Sequence, residues 1–397
     1  MTNEWSVSGG QRPQRDTDVW LAEFAQRGWI AYLERMEQVI VGKREVITMA
    51  GLAMISGGHI LLEDVPGVGK TVLARAMARV TGGSFRRIQM TPDMMPADIT
   101  GSMVWEPSSG ELRYSEGALQ ANVVLADELN RAPARTQSAL LEAMEERMVT
   151  VDGMTRPLPD PFMLIGTQNP QYFEGTYRMP EAEADRFMMR LSIGYPHAEH
   201  EADMLLRQRE EHPLMRVKPL WTPEEWRLLV RRVHMVHVDE ALCRYMADLA
   251  LATRTHESVA LGVSPRGTLA LMRSAQAHAW VEGRTYAVPD DVKAVAVYVL
   301  AHRLQLHNHA VRAGIVAEEI VLEVLGHTAV PGFPSGSAGK KGTSGGGSSA
   351  STSLAGRTRQ ASTYRTHARD VQFPSVQGEQ TNSRQAGKRI WFGGDYQ

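Results

Sequence analysis

Short apolar runs, set off by turn-forming residues, organise the first half of the chain. Ile60-Leu61-Leu62, Phe85-Arg86-Arg87-Ile88-Gln89, Val123-Val124-Leu125-Ala126 and Phe162-Met163-Leu164-Ile165-Gly166 each have the length and composition of a buried strand. Amphipathic stretches lie between some of them, as in Thr136-Gln137-Ser138-Ala139-Leu140-Leu141-Glu142-Ala143-Met144. Such alternation predicts an α/β fold, a three-layer core around a parallel sheet. Two hairpins are predicted to project from it. Met103–Glu106 and Glu111–Tyr114 flank Pro107-Ser108-Ser109-Gly110, and Val149–Val151 and Met154–Arg156 flank Asp152-Gly153, a strong two-residue turn signal.

The pattern then changes. Residues 197–332 carry period-3.6 stretches such as Arg266–Ala275, and Val288-Pro289-Asp290-Asp291-Val292 has the form of a helix start. Four parts follow: a flexible tail over 1–18, an α/β core over 19–196, a helical domain over 197–332, and a Gly/Ser-rich tail over 333–397. In the last part basic residues outnumber acidic ones, and the chain closes on Arg389-Ile390-Trp391-Phe392-Gly393-Gly394-Asp395-Tyr396-Gln397. That tail reads either as an inert solvated segment or as a docking peptide anchored by Trp391 and Phe392.

Composition narrows the function classes. A net charge of −2 over 397 residues gives no electrostatic case for nucleic acid. The single cysteine, Cys243, can form no internal disulfide, sits in a helical pattern as expected core filler, and fits a reducing cytosol. No apolar run reaches the roughly 20 residues a membrane-spanning helix needs, and the N-terminus lacks a secretion signal's apolar centre. The expectation is a cytoplasmic protein without direct membrane insertion.

Chemistry enters at Glu63-Asp64-Val65-Pro66-Gly67-Val68-Gly69-Lys70-Thr71. A strand runs into a glycine loop, Lys-Thr follows, and a helix begins. Glycines let backbone N–H groups approach phosphates, the helix N-terminus and Lys70 supply positive charge, and the Thr71 hydroxyl can ligate magnesium. Asp64 stands where the usual pattern has glycine. Such a loop calls for a second, carboxylate-bearing strand, and Asn122–Ala126 ends in Asp127-Glu128. Asp127 is predicted to hold magnesium with Thr71, and Glu128 to orient and deprotonate the attacking water. Asn169, after the next strand, can reach the γ-phosphate and that water. Arg186 and Arg190 are four apart, read as sharing one helical face, and Arg186 is the predicted finger for a neighbour's phosphates, with Arg190 the second candidate. Arg266 opens a helix in the second domain, where it is expected to reach the same nucleotide from the lid side.

With these residues in hand, the chain resembles the MoxR-type AAA+ ATPases over residues 33–330. The resemblance rests on Val39-Ile40-Val41-Gly42, Glu63–Thr71, Arg87–Asp93, Pro96–Gly101, Asp127–Pro133, Gln137–Met144, Thr167-Gln168-Asn169-Pro170, Asp185-Arg186-Phe187 and Ser264-Pro265-Arg266, all in order. It implies a P-loop AAA+ core with hairpin insertions and an all-helical lid. It implies ATP and Mg2+ as ligands, with Val41, Gly42, Pro66, Gly67, Val68, Gly69, Lys70, Thr71 and Val72 around the nucleotide. It implies sensor roles for Asn169 and Arg266, a trans-acting Arg186, a homo-hexameric ring, and a von Willebrand factor A-domain protein or similar client. Lys43 stands where the family often has glutamine. The rival readings are a nucleic-acid or transcription motor of related type, a scaffold that binds ATP without turnover, and a small-molecule kinase.

Overall fold

A computed structural model describes residues 27–169, 179–207 and 213–332. The predicted N-terminal tail, Pro170 and the aromatic-ended C-terminal tail lie outside the described residues. A helix over 27–37 (α1) and α2 (Arg44–Ile55) precede β1 (Ile60–Glu63). Then come α3 (Lys70–Val80), β2 (Phe85–Gln89), α4 (Pro96–Thr100), the hairpin β3 (Gly101–Glu106) and β4 (Glu111–Glu116), β5 (Val123–Asp127) and α5 (Ala134–Glu146). The hairpin β6 (Met148–Val151) and β7 (Met154–Pro157), β8 (Met163–Gln168), α6 (Glu181–Ala184) and β9 (Met189–Leu191) complete the α/β part. The helical part holds α7 (Ala198–Arg207), α8 (Pro223–Val233), α9 (Glu240–Thr255), α10 (Pro265–Val281), α11 (Pro289–Leu300), α12 (Asn308–Arg312) and α13 (Ala317–His327). A small antiparallel pair, β10 (Val259–Leu261) with β11 (Gln305–Leu306), sits among these helices.

The main sheet has the order β2-β5-β8-β1-β9, and every pairing in it is parallel. Its strands alternate between two cores. Ile60, Leu62, Val123, Leu125, Met163 and Ile165 face one way, into an apolar cluster shared with α2, α3 and the helical part. Leu61, Val124, Ala126 and Leu164 face the other, toward α5 residues Leu140, Leu141 and Met144. Burial on both faces is why these strands read as continuous apolar runs. Because the first cluster runs unbroken into Leu242, Leu271, Val292 and Ile320, packing joins the helical part to the sheet.

Both predicted hairpins form, with Trp105 opposite Leu112 and Val151 opposite Met154. Asp152 and Gly153 both adopt positive φ, as the Asp-Gly turn demands. Two expectations are corrected. Residues 189–191 are not helical: Met189-Arg190-Leu191 pairs with β1 as an edge strand, with Met189 and Leu191 buried. Arg186 and Arg190 therefore do not share a helical face. Cys243 is exposed on α9 rather than in the core. Among the described residues no helix is long and apolar enough to cross a membrane.

Candidate active site

In a parallel sheet, connections leave the carboxyl ends of the strands, and ligands gather there. The Gly67 loop follows β1 and opens α3, whose N-cap, Gly69, has φ +100° and no capping side chain. Gly67 and Gly69 both sit at positive φ, and a Cβ built on either meets nothing within 4 Å. Glycine is needed here for conformation, and the space over the loop stays open for a ligand. Lys70 Nζ donates to the main-chain carbonyl of Asp64 at 2.7 Å, folding the side chain along the loop. Burial lowers the Lys70 pKa, and the negative charges of Asp64, Asp127 and Glu128 oppose that shift.

The Asp64 carboxylate turns to the segment that follows β9. It accepts hydrogen bonds from Ser192 Oγ and Gly194 N–H, each at 3.1 Å, and from Ile193 N–H. Aspartate at the first loop position thus ties the exit of β9 to the entrance of the glycine loop.

Asp127 ends β5 and is held from both sides. Thr167 Oγ1 donates to its Oδ1 at 2.6 Å, and Arg87 donates to its Oδ2 at 2.6 Å from the neighbouring strand β2. Glu128 follows with φ 57°, a left-handed conformation whose cost for a non-glycine residue is about 1–3 kcal/mol. Its N–H donates to Thr167 Oγ1 at 2.9 Å, so one hydroxyl fixes both acidic residues. The Glu128 carboxylate accepts from Gln89 Nε2 at 3.1 Å, Arg131 at 2.9 Å and Asn169 Nδ2 at 3.4 Å. Lys70, Asp127, Glu128 and Asn169 therefore converge at one edge of the sheet. Arg87, Gln89 and Thr167 join them there without a role assigned from the sequence. Arg87 and Gln89 were visible as polar residues on a strand, but only strand order places them beside Asp127 and Glu128.

The donor set suits magnesium. A threonine hydroxyl at the start of α3 and a strand-end carboxylate are hard oxygen ligands of the kind that bind this ion alongside phosphates and water. Among the described residues no group of three or more His, Cys, Asp and Glu side chains forms a metal cage of its own.

Gly42, next to Val41, lies against α7. A Cβ on Gly42 would come within 2.2 Å of the His200 ring, and Gly42 has φ +72°. The buried His200 Nδ1 has no hydrogen-bond partner among the described residues. It is an open polar atom beside the expected base site. Lys43 reaches the Tyr195 carbonyl at 2.8 Å.

The arginines stand elsewhere. Arg186 lies in the turn before β9, at the amino edge of the sheet, opposite the glycine loop. Arg266 joins it rather than the chain's own loop. Arg186 contacts Glu145 Oε2 at 3.1 Å, and Arg266 contacts Glu145 Oε1. Gly57, Gly58, Arg273 and Leu269 line the same groove. Two guanidinium groups thus share one carboxylate there. Arg190 is used structurally, between Glu63 at 3.1 Å and Glu318 at 2.6 Å.

Comparison with known proteins follows this geometry. A profile described as the ATPase family associated with various cellular activities (AAA) matches residues 59–189, and an AAA lid domain profile matches residues 251–324. The chain is 46% identical over 299 residues to the uncharacterized protein YeaC of Bacillus subtilis, covering 75% of this chain and 93% of that one. It is 39% identical over 305 residues to the chaperone MoxR1 of Mycobacterium tuberculosis, covering 75% and 80%. A crystal structure of a proposed ATPase from Cytophaga hutchinsonii superposes with a TM-score of 0.75 at 32% identity, covering 80% of this chain and 99% of that one.

Proposed function

The chain belongs to the MoxR family of AAA+ ATPases, and on that premise we propose that it hydrolyses ATP between neighbouring subunits of a ring and uses the energy to remodel a partner protein. The observation that carries this reading is the separation of the two charged clusters. Lys70, Asp127, Glu128 and Asn169 share the carboxyl edge of the sheet, while Arg186 and Arg266 share the amino edge. One chain cannot close both around one nucleotide. A ring of identical chains brings the arginines of one subunit to the phosphates of the next, and a homo-hexamer is the assembly the family suggests.

In this arrangement the loop N–H groups and Lys70 hold the phosphates. Thr71 and Asp127 would hold magnesium, which supplies charge neutralisation there. Glu128 accepts a proton from water as the water oxygen bonds to the γ-phosphorus. The bond to the bridging oxygen breaks, and ADP leaves with the electron pair. Asn169 orients the water, and the neighbour's Arg186 and Arg266 balance the charge that develops. The chaperone name of the MoxR1 relative supports a client protein, and von Willebrand factor A-domain proteins are the first class to test.

The test is ATP binding, turnover and particle size in parallel. Glu128→Gln is expected to bind ATP and lose turnover by about a hundredfold or more. Lys70→Ala is expected to lose binding. Arg186→Ala is expected to keep binding and lose turnover. Unchanged turnover in Glu128→Gln removes it as the base, and unchanged turnover in Arg186→Ala removes the trans arrangement.

A further inference from the structure

The Arg186 turn is gripped from the helical part by a side chain outside the reacting set. Arg303 follows α11, and its side chain is only 2% exposed. Its Nε donates to Asp185 Oδ1 at 2.8 Å. Its Nη2 donates to the carbonyls of Asp185 at 3.0 Å and Phe187 at 2.6 Å. Its Nη1 reaches the Met188 carbonyl at 3.2 Å and the Val299 carbonyl. The second Asp185 oxygen, Oδ2, accepts from Ser264 Oγ at 2.8 Å. Ser264 caps α10 and lies two residues before Arg266. One buried guanidinium therefore holds main-chain atoms on both sides of Arg186, and one carboxylate joins that turn to the helix end carrying Arg266.

We propose that Arg303, through Asp185 and Ser264, is a positioning residue that locks Arg186 and Arg266 into a single two-armed clamp for the neighbouring subunit's phosphates. The proposal rests on the trans reading of Arg186. A salt bridge kept only for stability would not need to bind three carbonyls of the finger turn, and a buried charge pair is weak evidence for stability in any case. The clamp moves as one body, so displacement of the helical part carries both arginines together.

A complementation assay in the assembled full-length protein tests this. Arg303→Gln is expected to bind ATP within about twofold of wild type, yet to lose turnover by tenfold or more, in the direction of Arg186→Ala. Mixed with Lys70→Ala subunits, whose arginine clamp is intact, it is expected to recover about a quarter of wild-type turnover, because roughly one junction in four then pairs a sound nucleotide site with a sound clamp. A merely misfolded Arg303→Gln subunit has no sound site to offer and is not rescued. Wild-type turnover in Arg303→Gln overturns the proposal. So does a loss that mixing leaves uncorrected while Arg186→Ala is corrected. If Arg186→Ala is itself unaffected or uncorrected, the trans reading fails instead. Should Arg303→Gln not fold, Ser264→Ala decides: a tenfold loss of turnover restored by Ser264→Thr supports the clamp, and equal turnover in both variants overturns it.

Discussion

Asp64 shows how a departure from a motif can be structural rather than chemical. Its carboxylate is 7% exposed as a residue and accepts from the N–H groups of Ile193 and Gly194 and from Ser192 Oγ. Lys70 uses only the Asp64 main-chain carbonyl. Replacing Asp64 with the usual glycine leaves that carbonyl in place and strands the donors after β9. Asp64→Gly is expected to lower unfolding stability by ~1–3 kcal/mol, the cost of leaving buried donors without acceptors, while ATP binding persists. Asp64→Asn keeps one acceptor oxygen and is expected to lose less. Denaturant midpoints and ATP titrations of both variants check this, and an unchanged midpoint in Asp64→Gly refutes it. The sequence marks position 64 as unusual, but the partners lie about 130 residues away, and no local pattern connects them. Glu145 escaped notice for the same reason. It sits in the last turn of an ordinary amphipathic helix, and only the fold brings Arg186 and Arg266 to it.

The strands of the central sheet were legible because burial on both faces leaves an apolar run with sharp ends. β9 was not. It has three residues, its middle one is Arg190, and its spacing from Arg186 imitates a helical face. What makes it a strand is tertiary: β1 offers an open edge, and Arg190 finds Glu63 and Glu318 there. On the other side of β1, β8 is packed more tightly than its sequence discloses. A Cβ on Gly166 would lie 2.4 Å from Leu129 Cδ1 and 3.0 Å from Phe187 Cζ. Phe187 is fully buried and directly follows Arg186. Gly166→Ala is therefore expected to overpack this junction by ~1–3 kcal/mol, shifting Phe187 and with it the turn that carries Arg186. Thermal unfolding reports the first effect, and turnover falling more than ATP binding reports the second. A variant as stable as wild type would mean that Leu129 yields freely. The hairpins, by contrast, were predicted from turn chemistry alone, because Asp152-Gly153 carries its conformational demand locally.

For the molecule as a whole, two imidazoles, His59 buried and His302 half-buried, set a limit on the acid side. His59 precedes β1, is buried, and accepts from Leu164 N–H through Nδ1 at 2.9 Å, so its ring is neutral. Burial holds its pKa well below 6.5, and Arg147 lowers it further. His302 follows α11 beside Arg303, and burial, then Arg303 and Arg190, depress it likewise. Neither ring gains a proton in the folded chain where both gain one on unfolding. With the folded pKa lowered, the unfolded chain binds more protons below 6.5, so stability is retained above that pH and lost as pH falls through it. Each ring is expected to lower stability as pH falls from 7.5 to 5.5, and the two losses add. The rings sit where motion of the helical part would be felt: His302 contacts the Phe187 carbonyl at 3.1 Å, and His59 O accepts from Met188 N–H at 2.8 Å. Acid loss is therefore expected to reach the turn that carries Arg186. Urea midpoints at pH 7.5 and 5.5 test this, with His59→Gln expected to be less stable at pH 7.5 but to lose less on acidification. An equal pH slope in that variant would show that groups other than these imidazoles govern the acid limit.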